Sequence, residues 1–164
     1  MNDAHYHLLF NHFPIIGVIF GLGILVFGVV LKNNIVKNVA YVLFIIAALF
    51  AAVSMATGEG AEEAVEHMPN IGKHIIHEHE EMAEKLALVS YVLGVISIVG
   101  LYTNSKNHSK ARLVSLLALV LALIAVFLGK QTGTSGGEIR HTEIRTDAAA
   151  SNTGALEDKE SEED

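Results

Sequence analysis

The chain contains no cysteine, which excludes disulfides, thiolate metal sites and cysteine nucleophiles. It is also short of bases. Eleven lysines and arginines stand against eighteen acids, so no basic patch remains for a run of phosphates and nucleic acid is not an expected partner. Catalytic motifs are missing as well. Ile124 occupies the place where a P-loop ending at Gly129 and Lys130 needs its first glycine. The stretch from His77 to Glu81 lacks the second histidine of a zincin helix, because Glu81 stands at that position. No Ser, His and Asp order singles itself out, and no enzymatic activity has specific support.

What is present is apolar. Hydrophobic residues make up 51% of the 164 and charged ones only 18%, too greasy for an ordinary soluble domain, and the length allows one compact unit. Four runs carry no charge: 13–31, 39–57, 86–102 and 113–129. A bilayer core about 30 Å thick needs about 20 helical residues, with a range near 17–25. None of the runs has the polar stripe that a soluble bundle helix requires. The expected fold is all-α, a four-helix transmembrane bundle over residues 1–145 with spans at about 8–31, 39–57, 84–103 and 111–129. A helical hairpin outside the cytoplasm is expected between spans two and three. Residues 146–164 hold seven acids and one base, which accounts for −6 of the formal −7, and read as a disordered acidic tail.

Orientation follows from the loops. Residues 32–38 carry Lys32 and Lys37, residues 103–112 carry Lys106, Lys110 and Arg112, and neither segment contains an acid. The long segment 58–85 has two lysines and eight glutamates. Basic short loops stay in the cytoplasm, so the long segment and both termini are expected on the periplasmic side of a bacterial inner membrane. The N-terminus has no basic region and no small-residue cleavage site, so no signal peptide is expected. Gly17 with Gly21, and Ser90 with Gly94, are small-xxx-small pairs that suit close helix packing in lipid.

Unusual residues gather at one end of these spans. Eight of the nine histidines lie on the expected outer side, and only His108 lies inside. Met68, Pro69, Asn70, Ile71 and Gly72 break the long segment into a helix–turn–helix. Helical spacing places Glu59 and Glu63 on one face with Glu66 or His67. It places His74, Glu78 and Glu81 on one face of the second arm, and His77, Glu81 and Glu84 on a neighbouring one. Like charges one turn apart repel by a few tenths of a kcal/mol per pair, and a cation would relieve them. Glutamate-rich helical arms are, however, most often solvated surface, and a histidine at a membrane boundary is most often an interfacial anchor. His12 stands out because it sits just inside the apolar run, where a polar residue usually faces the protein interior.

His7; Asn11, His12, Phe13 and Pro14 opening the first span; Thr57, Gly58 and Glu59 closing the second; His79 before the third; and Thr132, Gly133, Gly136 and Gly137 after the fourth form an ordered set. Over residues 5–145 this set resembles the bacterial membrane family catalogued as domain of unknown function 2231. The acid- and histidine-rich stretches 58–63 and 138–141 suggest a sub-branch of it. The resemblance implies the four-span fold and a membrane location more than an activity. Some similar proteins are joined to Rieske-type or c-type cytochrome domains, which implies electron transfer with a membrane or periplasmic redox partner. Without cysteine, this chain carries no such domain.

Imidazole with carboxylate suits zinc, iron, manganese or copper. The leading expectation is therefore a periplasm-facing metal site built from His7, His12, Glu59, Glu63, His67 and His79, with His141 closing it, and serving metal handling or electron transfer. Binding through neutral imidazoles should weaken below about pH 6. A second expectation is b-type haem held by His12 with His79 or His74, although haem has no need of the glutamates. A third is a non-catalytic scaffold or partner subunit whose hairpin and acidic tail meet another protein. The lipid bilayer is a partner in every case, and homo-oligomerisation is left open.

Overall fold

The computed structural model describes residues 2–66, 68 and 71–145. The acidic tail at 146–164 and His67 lie outside the described residues. The described chain is helical throughout: α1 (Asp3–Phe10), α2 (His12–Val30), α3 (Asn34–Val65), α4 (Lys73–Ser105), α5 (Ala111–Arg140) and a final 3-10 turn at Thr142–Ile144. Pro14 has no N–H to offer the Phe10 carbonyl, so regular bonding lapses one turn before it and α1 meets α2 at Asn11. Asn11 keeps helical dihedrals, so the axis carries on through the break.

Local chemistry explains the ends. The Asn33 side chain accepts from the backbone N–H groups of Ile35 and Val36 and starts α3. At the two tight connections Lys32 (φ 52°) and Asn107 (φ 48°) take left-handed dihedrals. This lets the next N–H turn back onto the helix that has just ended, Asn33 onto Gly28 and His108 onto Thr103. At the far end of α5 the Arg145 guanidinium donates to the Glu138 and Ile139 carbonyls, a cation placed on the negative end of the helix.

Antiparallel neighbours pack in a ring: α2 on α3, α3 on α4, α4 on α5, and α5 back on α2. Interior positions recur every three to four residues on each helix. On α2 they are Pro14, Val18, Gly21, Leu25 and Gly28; on α5 they are Ser115, Ala118, Ala122, Ala125, Gly129 and Thr132. Small residues let the helices approach. Gly17 faces Ala47, Gly21 faces the Phe44 ring, Gly94 faces Ala48 and Gly100 faces the Tyr41 ring. Gly17 and Gly21 of the first small-xxx-small pair, and Gly94 of the second, thus pack against α3. Within this apolar core the buried Tyr41 hydroxyl donates to Ser115 Oγ at 2.9 Å, and Ser115 donates in turn to the Ala111 carbonyl at 2.8 Å.

Among the described residues, four helical segments are long and apolar enough to cross a membrane: Asp3–Val30, Asn34–Val65, Lys73–Ser105 and Ala111–Arg140. Large apolar side chains such as Phe20, Phe27, Val30, Leu88, Leu113 and Phe127 point outward, as they do where the solvent is lipid. With 32 and 33 residues, α3 and α4 are about 50 Å long, well beyond the roughly 30 Å hydrocarbon core. The connections at 31–33 and 106–110 are short, so most of the excess stands at the opposite end. There it forms a helical collar that carries the histidines.

Candidate functional site: a histidine pair in the collar

The interior stripes continue past the apolar runs, and what they carry in the collar is polar. Stepping back from Pro14 by three and then four residues reaches Asn11 and His7. Stepping on from Ala51 along α3 reaches Ser54 and Gly58. Three residues after the buried Ile76 of α4 comes His79, and α5 adds Thr132, Ser135 and Gly136. His7 and His79 are each half-buried.

Each ring is fixed by its Nδ1 atom. His7 Nδ1 lies 3.0 Å from the Ser54 carbonyl oxygen. A carbonyl can only accept, so Nδ1 carries the proton and Nε2 carries the lone pair. His79 Nδ1 lies 3.1 Å from Ser135 Oγ, whose own proton goes to the Thr132 carbonyl at 3.1 Å. With its proton so directed, that hydroxyl accepts from His79 Nδ1, and we assign His79 the same tautomer on that ground. The two imidazoles are near enough to repel each other when charged, and His7 stands in the same relation to His12. A glycine makes room for the His79 ring, while the contact at Gly58 is an ordinary one. A Cβ on Gly136 would lie 2.9 Å from His79 Cε1, and one on Gly58 would lie 4.0 Å from His7 Cε1. Asn11 Oδ1 and Ser54 Oγ are buried and have no hydrogen-bond partner among the described residues. Phe10 and Phe13 stack on Phe50, with ring centroids 5.6 and 4.7 Å away, and hold α1 against α3.

The other expected ligands are dispersed. His12 is exposed, because it lies two residues, about 200° of helical turn, from the buried Pro14; the polar residue of that segment that faces inward is Asn11. Glu59 and Glu63 are exposed on the outer flank of α3. The carboxylate turned toward α4 is Glu62, which reaches Glu80 within hydrogen-bonding distance. Two carboxylates hold that arrangement only with a proton or a cation between them. His74 pairs with Glu78 at 3.7 Å, and His77 with Glu80 and Glu81 at 3.7 and 3.5 Å, all on exposed helix surface. Such pairs contribute little to stability. His141 bonds to Glu143 at 2.9 Å on the surface. A hydrogen bond from its own backbone N–H, and then His141, hold the Glu143 carboxyl below the usual carboxylate range. Among the described residues no three or more His, Cys, Asp or Glu side chains converge as a ready metal cage.

A glycine-rich stretch read as following the fourth span is instead helical: α5 runs unbroken from Ala111 to Arg140. Glycine costs a helix about 1 kcal/mol per residue relative to alanine, and packing of His79 against Gly136 gives one of these glycines a reason. Fold and site together define a multi-pass helical membrane protein with a histidine pair inside one end of its bundle. Comparison with known proteins found no matching family model, no matching curated protein and no matching solved structure.

Proposed function

We propose that this membrane protein binds a transition metal ion at His7 and His79 and hands it on. The observation that carries the proposal is the pair of Nδ1 contacts, to the Ser54 carbonyl and to Ser135 Oγ, from which we assign the tautomer of each ring. Both rings donate through Nδ1 to a fixed oxygen and keep the Nε2 lone pair, the arrangement in which histidines serve as metal ligands. The buried, unpartnered Asn11 Oδ1 and Ser54 Oγ beside His7 are further polar atoms that a hydrated ion would satisfy. Two protein ligands leave coordination positions open, in contrast to closed four-ligand structural sites, so exchange of the ion fits better than a structural role. Imidazole donors suit copper, zinc, iron or nickel. On this proposal His12, Glu59 and Glu63 are exposed residues that steer or receive the ion, and the end bearing the collar faces the periplasm. Membership of the domain of unknown function 2231 family belongs to the same proposal.

Equilibrium dialysis of the detergent-purified, tag-free protein against copper and zinc tests this. His7→Ala and His79→Ala are each expected to weaken binding at least tenfold, and Ser135→Ala to weaken it about tenfold through loss of the outer hydrogen bond. Unchanged affinity in both histidine variants sinks the proposal. An absorption spectrum after haem addition distinguishes a free ion from a b-type haem, which would use the same two side chains.

A further inference from the structure

A second site lies in the open groove between α4 and α5, on the outside of the collar. It has a volume of about 390 Å³, within the ~300–1,000 Å³ range of small-molecule sites. Glu78 and Met82 line it from α4, one turn apart; Phe127, Lys130, Thr134 and Glu138 line it from one face of α5. Three features define what it accepts. Its floor is apolar, and Phe127 is 61% exposed where the fourth apolar run ends. Lys130 is the first residue after that run, and a lysine at the end of a span carries its ammonium to the headgroup region. Lys130 also has no ion-pair partner among the described residues, although the carboxylates of Glu78 and Glu138 line the same groove.

A positive charge at the bilayer boundary, with an apolar residue below it and two carboxylates further out along the same groove, is the complement of a zwitterionic lipid. We infer that this groove binds the headgroup of an ethanolamine phospholipid from the adjoining leaflet. The phosphate meets Lys130 and the Thr134 hydroxyl, the primary ammonium meets Glu78 and Glu138, and the acyl chains run down over Phe127 and Met82. The carboxylates select among headgroups. An anionic glycerol headgroup has no cation to offer them. A choline headgroup has a cation without N–H donors, which is best served by an aromatic cage, and Phe127 is the one aromatic residue in the groove. An ethanolamine ammonium supplies three donors for charge-assisted bonds. The inference is independent of the metal reading; the groove shares only Ser135 with the histidine pair.

Native mass spectrometry of the delipidated full-length protein, titrated with phosphatidylethanolamine, phosphatidylcholine and phosphatidylglycerol of identical acyl chains, tests it. Phosphatidylethanolamine is expected to bind about tenfold more tightly than either of the others. Lys130→Ala should remove most of that binding, and Lys110→Ala at the opposite end of the bundle should not. Glu78→Gln with Glu138→Gln should shift the preference to phosphatidylglycerol. Equal binding of the three lipids by the unaltered protein overturns the inference without recourse to any variant, as does retention of the ethanolamine preference in the double glutamine variant. Soluble phosphoethanolamine is expected to displace the lipid only at far higher concentration; displacement at equal concentration overturns the lipid assignment in favour of a soluble phosphate ester.

Discussion

Gly136→Ala and Gly133→Ala form a matched pair, three residues apart on α5, that tests where the His79 ring lies. A methyl on Gly133 meets only Ile15 Cδ1 at 3.8 Å, an ordinary contact, so that variant should gain the roughly 1 kcal/mol by which alanine exceeds glycine in a helix. A methyl on Gly136 meets His79 Cε1 at 2.9 Å and Nδ1 at 3.2 Å. Carbon atoms rest about 3.5–4.0 Å apart, so the ring must move by at least about 0.6 Å. The 3.1 Å bond from His79 to Ser135 does not survive a displacement of that size directed away from α5. Overpacking costs about 1–3 kcal/mol and the lost bond about 1 kcal/mol. Against the same propensity gain, Gly136→Ala should be destabilised by about 1–3 kcal/mol. The two variants thus differ by at least about 2 kcal/mol, or about 4 °C or more in Tm for a chain of this size. Thermal unfolding in detergent, followed by helical circular dichroism, reads the difference. Equal stabilisation of both variants would refute the packing of His79 on Gly136 and with it the geometry of the pair.

Other expectations concern the fold and its placement. Ser115→Ala leaves the buried Tyr41 hydroxyl without an acceptor and should cost about 1–3 kcal/mol. Tyr41→Phe leaves Ser115 bonded to Ala111 and should cost less; the reverse order in thermal unfolding would contradict the direction of that hydrogen bond. Asn33→Ala should cost about 1 kcal/mol through loss of the α3 cap, with Asn33→Asp close to neutral, again by thermal unfolding. Because the chain has no native cysteine, single-cysteine variants report topology directly. A membrane-impermeant maleimide applied to intact bacterial spheroplasts should label Glu143→Cys and spare Asn107→Cys. The opposite pattern would invert the orientation drawn from the basic loops.

The architecture was legible because lipid imposes a coarse requirement: four uncharged runs of sufficient length admit little else than four helices, and Gly17, Gly21 and Gly94, marked by their spacing, do meet α3. The site was legible only in part. His7 and His79 stood out as histidines at the right end of the chain, but so did six others on that side, and composition does not rank them. Phase does. Continuing the three-four spacing of Leu25, Gly21, Val18 and Pro14 backwards lands on Asn11 and His7, and passes over His12. The same step along α3 selects Ser54, Gly58 and Glu62 in place of Glu59 and Glu63. His12 drew notice for its depth in the apolar run, yet depth does not determine whether a residue faces lipid or protein; rotation about the helix axis does. Ser135 meets His79 only because α5 continues as a helix through the glycine-rich stretch beyond the fourth span, a continuation that glycine disfavours.

On the proposed function, His7 and His79 together hold a metal ion. Elemental analysis of the tag-free protein, purified in detergent without chelators, tests it most directly. Close to one transition metal ion per chain is expected in the unaltered protein, lost on His7→Ala and equally on His79→Ala, and retained in His74→Ala, whose ring pairs with Glu78 on the surface. A protein free of metal after reconstitution with copper, zinc and iron, or one whose metal survives removal of either interior histidine, would contradict it.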